Sequence, residues 1–171
     1  MIKSKSFDAF GMSYRTAQFP AAGGMELMGH MIDMNPMDVL CRTEARGPDG
    51  AWTRLDNRDS VNEFVRDALG IMPPILVLRG LTKIVNDFSF GFAREWKGVK
   101  IPARFRTGPV DPKSSSYVDP MIAQILSEGM ATLRELEEYY SLEDAFKMFD
   151  VIVAKSVNSA LAHEVATKGK R

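Results

Sequence analysis

One cysteine, two histidines and no surplus of charge are what this 171-residue chain offers to chemistry. Cys41, being alone, excludes an internal disulfide framework and a cysteine-rich zinc centre, suits a reducing compartment, and reads as an inert thiol. His30 and His163 have no second His or Cys at i+3 or i+4, the spacing by which a helix presents a metal. Asp33 stands at i+3 from His30, which makes a pair and no more. His30 therefore reads as structural, and His163 falls late in a helical pattern, where a cation suits the helix dipole. Lys+Arg and Asp+Glu are equal at 22 each, so no whole-chain field draws the protein to nucleic acid or to an anionic membrane. No apolar run approaches the roughly 18 residues that span a bilayer, and the opening Met1 to Ser6 leads into no signal-type apolar region. The expectation is a cytosolic protein with no membrane partner.

Catalytic grammar is missing as well. The carboxylate pairs Glu137/Glu138 and Glu143/Asp144 are adjacent in sequence, and adjacent side chains on a helix point apart. Gly23-Gly24 lacks the further glycines and the Lys-Ser/Thr of a phosphate loop. Neither an enzyme nor a bound cofactor is expected.

What the chain does contain is organised apolar pattern. Its length suits one domain, with or without an appended arm, and is enough to bury a sizeable core; its eleven methionines are flexible fillers found in cores and on adaptable binding faces alike. Residues 6–18 alternate and break at Gly11, which predicts a hairpin. Met25, Leu27, Met28, Met31 and Ile32 recur at helical spacing up to Asn35-Pro36. Residues 36–46 read as a short helix or a strand. The turn Gly47-Pro48-Asp49-Gly50 sets a second hairpin between 39–43 and 51–55. Asp59 or Ser60 caps a helix carrying Val61, Phe64, Val65 and Leu69 that Gly70 closes, and Pro73-Pro74 opens the most apolar helix, read as a largely buried central element. From Asn86 to Arg106 aromatic residues (Phe88, Phe90, Phe92, Trp96) mingle with basic ones (Arg94, Lys97, Lys100, Arg104, Arg106). Core aromatics beside a solvated basic rim, a protein-binding patch and a single-strand nucleic-acid site all fit that composition; neutral overall charge and the lack of a recognised motif disfavour nucleic acid.

The overall reading is α+β, predominantly α-helical, with small N-terminal β-hairpins packed on a helical core and a C-terminal helical pair. Residues 1–106 form the mixed core domain, 107–118 a flexible Pro/Gly/Ser-rich linker, and 119–171 a helical arm. Asp119-Pro120 starts the first helix of the pair, with Ile122, Ile125, Leu126, Met130, Leu133 and Leu136 along it. Its acidic end, Glu135, Glu137 and Glu138, is unfavourable for a helix C-terminus; those acids either serve the next helix or face a basic partner. Ser141 and Asp144 make a capping box for the second helix. Its stripe from Leu142 to Val165 must be buried in the protein's own core or offered to a partner.

Two stretches carry a family resemblance. Gly11, Tyr14, Phe19, Pro20 and Ala21 follow a Gly-x-x-Tyr-x-x-x-x-Leu-Pro-Ala pattern with Phe for Leu, and this opening resembles that of tail assembly chaperones of long-tailed bacteriophages. Residues 133–152, which include Tyr139, Tyr140 and Phe146, resemble the closing helices of small phage tail-assembly proteins. The resemblance implies a non-enzymatic protein of the infected bacterial cytoplasm that binds the apolar, helical tape-measure protein, helps recruit tail-tube subunits and is absent from the mature virion. A structural tail or baseplate component is the alternative. An amphipathic helix reading another helix would use anchors at i, i+3, i+4 and i+7. The candidate surface is Phe146, Phe149, Ile152 and Val153, with Met25, Met28 and Met31 as a second patch, serving a client or a second copy of the chain.

Overall fold

A computed structural model describes residues 1–30, 34–105 and 117–168. The first hairpin pairs β1 (Ser4–Ala9) with β2 (Met12–Ala17), Ala9 opposite Met12. Phe10 and Gly11 between them both have positive φ, 55° and 74°, as a two-residue turn matched to strand twist requires. A Cβ on Gly11 would also lie 2.7 Å from that of Ala68, so glycine lets the hairpin tip dock. The second hairpin joins β3 (Thr43–Arg46) to β4 (Trp52–Arg54), and both hairpins merge into one antiparallel sheet of order β1-β2-β3-β4. Tyr14, Thr16, Thr43 and Ala45 alternate onto its buried face. Arg15 and Glu44 pair on the other, with the Arg15 guanidinium 4.6 Å from the Trp52 ring.

Helices make up the rest, and α+β with helix predominating is the class observed. Between the hairpins lie α1 (Ala21–Gly29) and α2 (Pro36–Leu40). The first starts four residues before Met25. Residues 36–46, open between helix and strand, are both in succession. Then α3 (Arg58–Phe64) is capped by Asn57, whose side chain accepts from Ser60 N at 2.9 Å. The cap is thus neither Asp59 nor Ser60, and the helix stops before Leu69. It is followed by α4 (Pro74–Phe90) and the short α5 (Phe92–Glu95). A 3-10 turn follows over Ala103–Phe105.

The first member of the expected C-terminal pair is divided. Asp119 caps α6 (Pro120–Ser127), accepting from Met121 N at 2.8 Å. That helix ends at Gly129, φ 68°, where Gly129 N donates to Leu126 O and Met130 N to Ile125 O, a Schellman closure. Thr132 and Glu135 then form a capping box for α7 (Leu133–Glu138). Glu135 therefore sits in a first turn, where an acid suits the dipole, and its carboxyl is held low mainly by hydrogen bonds from Thr132. Ser141 and Asp144 cap α8 (Leu142–Lys168) as expected, with Asp144 N on Ser141 Oγ at 3.3 Å.

Two apolar cores result. One gathers Tyr14, Leu40, Leu55, Phe64, Val77, Leu81 and Val85; the other gathers Phe19, Ala21, Phe90, Ile122, Ile125, Leu136, Leu142, Ala145 and Ile152. Helix α4 contributes to both, and its 17 residues are about 25 Å long. The second core draws on residues from both sides of 107–118. Residues from 119 onward share the second core with Phe19, Ala21 and Phe90, Ala21 N donates to Tyr140 O at 2.8 Å, and Pro20 bridges to Ser141. Of the expected linker, residues 107–116 lie outside the described residues.

Candidate partner-binding surface

Most of the anchors proposed from the sequence are spent inside the molecule. Ile152 is only 2% exposed, a member of the second core, so it is not a surface anchor. Phe146 meets Phe92 and Trp96 edge-to-face, at 5.3 and 5.6 Å between ring centroids. Phe149, Met25 and Met28 are half-buried against that same core, where α1 packs on α8, so both proposed patches are turned toward the protein's own interior. Val153 is half-buried, and Met31 lies outside the described residues, as do Asp33 and Arg106. The stripe is thus internal through Ile152 and opens toward Val165, which is exposed.

The other candidates resolve similarly. Phe90 stacks on Phe19 at 5.6 Å, and with Phe92 and Trp96 against Phe146 these aromatic faces are used by one another rather than offered to bases. Arg94 pairs with Asp87 at 2.7 Å and Arg104 with Glu164 at 3.0 Å. The Cys41 thiol donates to Asp38 O at 3.0 Å and is pushed up by burial, away from thiolate reactivity. His30 is exposed on a cleft it shares with Glu26, Asp119 and Glu137. Among the described residues no three metal-ligating side chains cluster.

A different surface was missed. Because α3 ends at Phe64, residues 66–73 form a loop instead of a last helical turn, and the loop is built around Asp67. Its carboxylate accepts from Leu69 N at 3.3 Å and from Ile71 N and Met72 N at 2.9 Å each. Those bonds, Met72's foremost, hold the Asp67 carboxyl below its ordinary range. Gly70 turns at φ 67°, and Ala68 N donates to Phe10 O at 2.9 Å, tying the loop to the hairpin tip. Apolar side chains are thereby fixed outward: Leu69 is 78% exposed, Ile71 80%, Ile75 54% and Leu76 47%. Met72 is exposed beside them. Helix α4 accordingly buries Val77, Leu81 and Val85 but not its first turn, so it is less buried than its composition suggests.

This apolar run links two depressions. Leu69 lines a cleft of about 640 Å³ together with Gly11, Ser13, Arg46, Gly47 and Arg66. Ile75 lines a groove of about 360 Å³ along α4 with Pro36, Leu78, Arg79, Thr82 and Asn86. Within that groove Thr82 Oγ1 and Asn86 Oδ1 are enclosed without a hydrogen-bond partner among the described residues. Arg46, Arg66 and Arg79 have no ion pair to a described residue, whereas Lys83 and Arg94 at the groove rim share Asp87.

The sequence signal was available. Leu69-Gly70-Ile71-Met72-Pro73-Pro74-Ile75-Leu76 is an apolar run that glycine and two prolines deprive of helical period, so it cannot bury itself as a stripe. No helix among the described residues is long and apolar enough to cross a membrane. No family model matches the chain, and neither a curated protein nor a solved structure does.

Proposed function

We propose that the protein is a non-enzymatic binding protein that holds an apolar helical segment of a partner against Leu69, Ile71, Met72, Ile75 and Leu76 and along the α4 groove. The observation that carries this reading is the outward apolar run itself, pinned by Asp67. Exposed apolar clusters of this kind mark interaction surfaces, and a pinned loop loses little entropy on binding. The resemblance of residues 10–28 to phage tail assembly chaperones, and of 133–152 to the closing helices of small phage tail-assembly proteins, supports a tape-measure protein as that partner, with tail-tube subunits recruited to the complex in the host cytoplasm.

Co-expression with a tape-measure protein and pull-down of the intact pair tests the proposal. Burying an Ile or Leu side chain is worth about 1.5–3 kcal/mol, so Leu69→Ser with Ile71→Ser should weaken association by at least about 100-fold. Both side chains are largely exposed, so the melting temperature should not fall. Association that survives the double substitution removes this surface from the function. A permanent place in the tail or baseplate would use the same apolar run, and mass spectrometry of purified virions separates the two roles, since an assembly factor is absent from them.

A further inference from the structure

We infer that the segment this surface takes is acidic as well as apolar, its carboxylates seated on Arg46 and Arg66 in the cleft that Leu69 borders. The inference rests on the apolar run being a binding face and adds the chemistry of its occupant. Arg46 ends β3, just before a turn closed by Gly47 N on Ala51 O at 2.8 Å, and Arg66 immediately precedes the pinned Asp67. Both guanidiniums thus stand on fixed backbone and are exposed, without a partner among the described residues.

Asp67 is the one carboxylate lining the cleft among the described residues, and its oxygens are already taken by three backbone N–H groups. The lining therefore carries two guanidiniums against one occupied carboxylate, in a chain whose total charge is zero. Such forks match a carboxylate with two parallel hydrogen bonds. Because Leu69 belongs to both the cleft and the apolar run, a helix lying on the run places side chains one turn away, about 5.4 Å, within reach of the cleft. A nucleic-acid phosphate fits the arginines too, but no aromatic side chain lines this cleft for a base to stack on.

Two labelled synthetic helical peptides sharing one apolar stripe, flanked in one by Glu and in the other by Lys, test the inference by fluorescence anisotropy. The wild-type chain should bind the Glu peptide about tenfold or more tightly than the Lys peptide, with the preference fading at high salt. Arg46→Glu with Arg66→Glu should reverse the order while leaving the melting temperature unchanged. Equal binding of both peptides, still abolished by Leu69→Ser with Ile71→Ser, would overturn the inference and leave the apolar reading standing. Binding of neither peptide would overturn both. Oligothymidylate bound more tightly than the Glu peptide, and lost with Arg46→Glu and Arg66→Glu, would reassign the cleft to phosphate and overturn the inference as well.

Discussion

Tyr14 is fully enclosed, stacked on Phe7 at 5.6 Å, with its hydroxyl donating to the Phe64 carbonyl at 3.0 Å. Burial disfavours the phenolate and pushes its pKa from the usual 10.0 up to about 12. The folded protein holds this proton more tightly than the unfolded chain does. Its contribution to stability is therefore complete below pH 10 and is lost as the pH rises through 10 toward about 12. At neutral pH, Tyr14→Phe should cost about 1–2 kcal/mol by leaving the buried Phe64 carbonyl unpaired. The gap between wild type and variant should narrow at high pH, because only the wild type has this phenol to ionise. Urea denaturation at about pH 8 and about pH 11 measures it; a gap that stays constant would sink the assignment. Gly11, Tyr14, Phe19, Pro20 and Ala21 were legible as a pattern, yet spacing along one strand cannot reveal a partner fifty residues away. What those residues do in this molecule is hold the fold. Gly11 admits Ala68, Phe19 stacks on Phe90, and Pro20 bridges to Ser141.

At the scale of elements, hydrophobic period pointed to α1, α3, α4, α6 and α8 and failed where a short motif competes with it. Ile122, Ile125, Leu126, Met130, Leu133 and Leu136 keep helical spacing straight across Gly129, so 119–138 reads as one helix; the backbone instead closes at Gly129 and restarts at the Thr132 box. The apolar stripe of α8 was equally plain, but period alone does not say what covers a stripe; in the fold α1 and α6 cover it. At 66–73 the decisive residue is polar. Without the Asp67 carboxylate the amides of Leu69, Ile71 and Met72 lose their acceptor and the apolar run loses its fixed direction. Asp67→Ala should speed amide hydrogen exchange at these three positions, leave α4 and the sheet protected, and weaken partner binding several-fold through the entropy of re-ordering the loop. Unchanged exchange at Ile71 and Met72 would show that the loop is held by something other than Asp67.

For the whole molecule the question is whether two cores make one cooperative unit. Helix α4 supplies Val77, Leu81 and Val85 to the first and Phe90 to the second, so the loss of either core strips apolar burial from the same continuous helix. Gln18 adds a second tie, its amide donating to Phe88 O at 3.2 Å while its carbonyl accepts from Lys3 N. The two cores should therefore melt together, against the reading of residues 119–171 as a separable arm. Leu81→Ala in the first core and Ile152→Ala in the second remove fully enclosed side chains. Each should cost about 2–5 kcal/mol and lower the midpoint of one shared transition by on the order of 10 °C. Calorimetry with circular dichroism and intrinsic fluorescence followed in parallel would decide it. Two separable transitions, with Leu81→Ala moving one and Ile152→Ala the other, would restore the arm, and would leave the Leu69 to Leu76 surface on a body that folds without its last three helices.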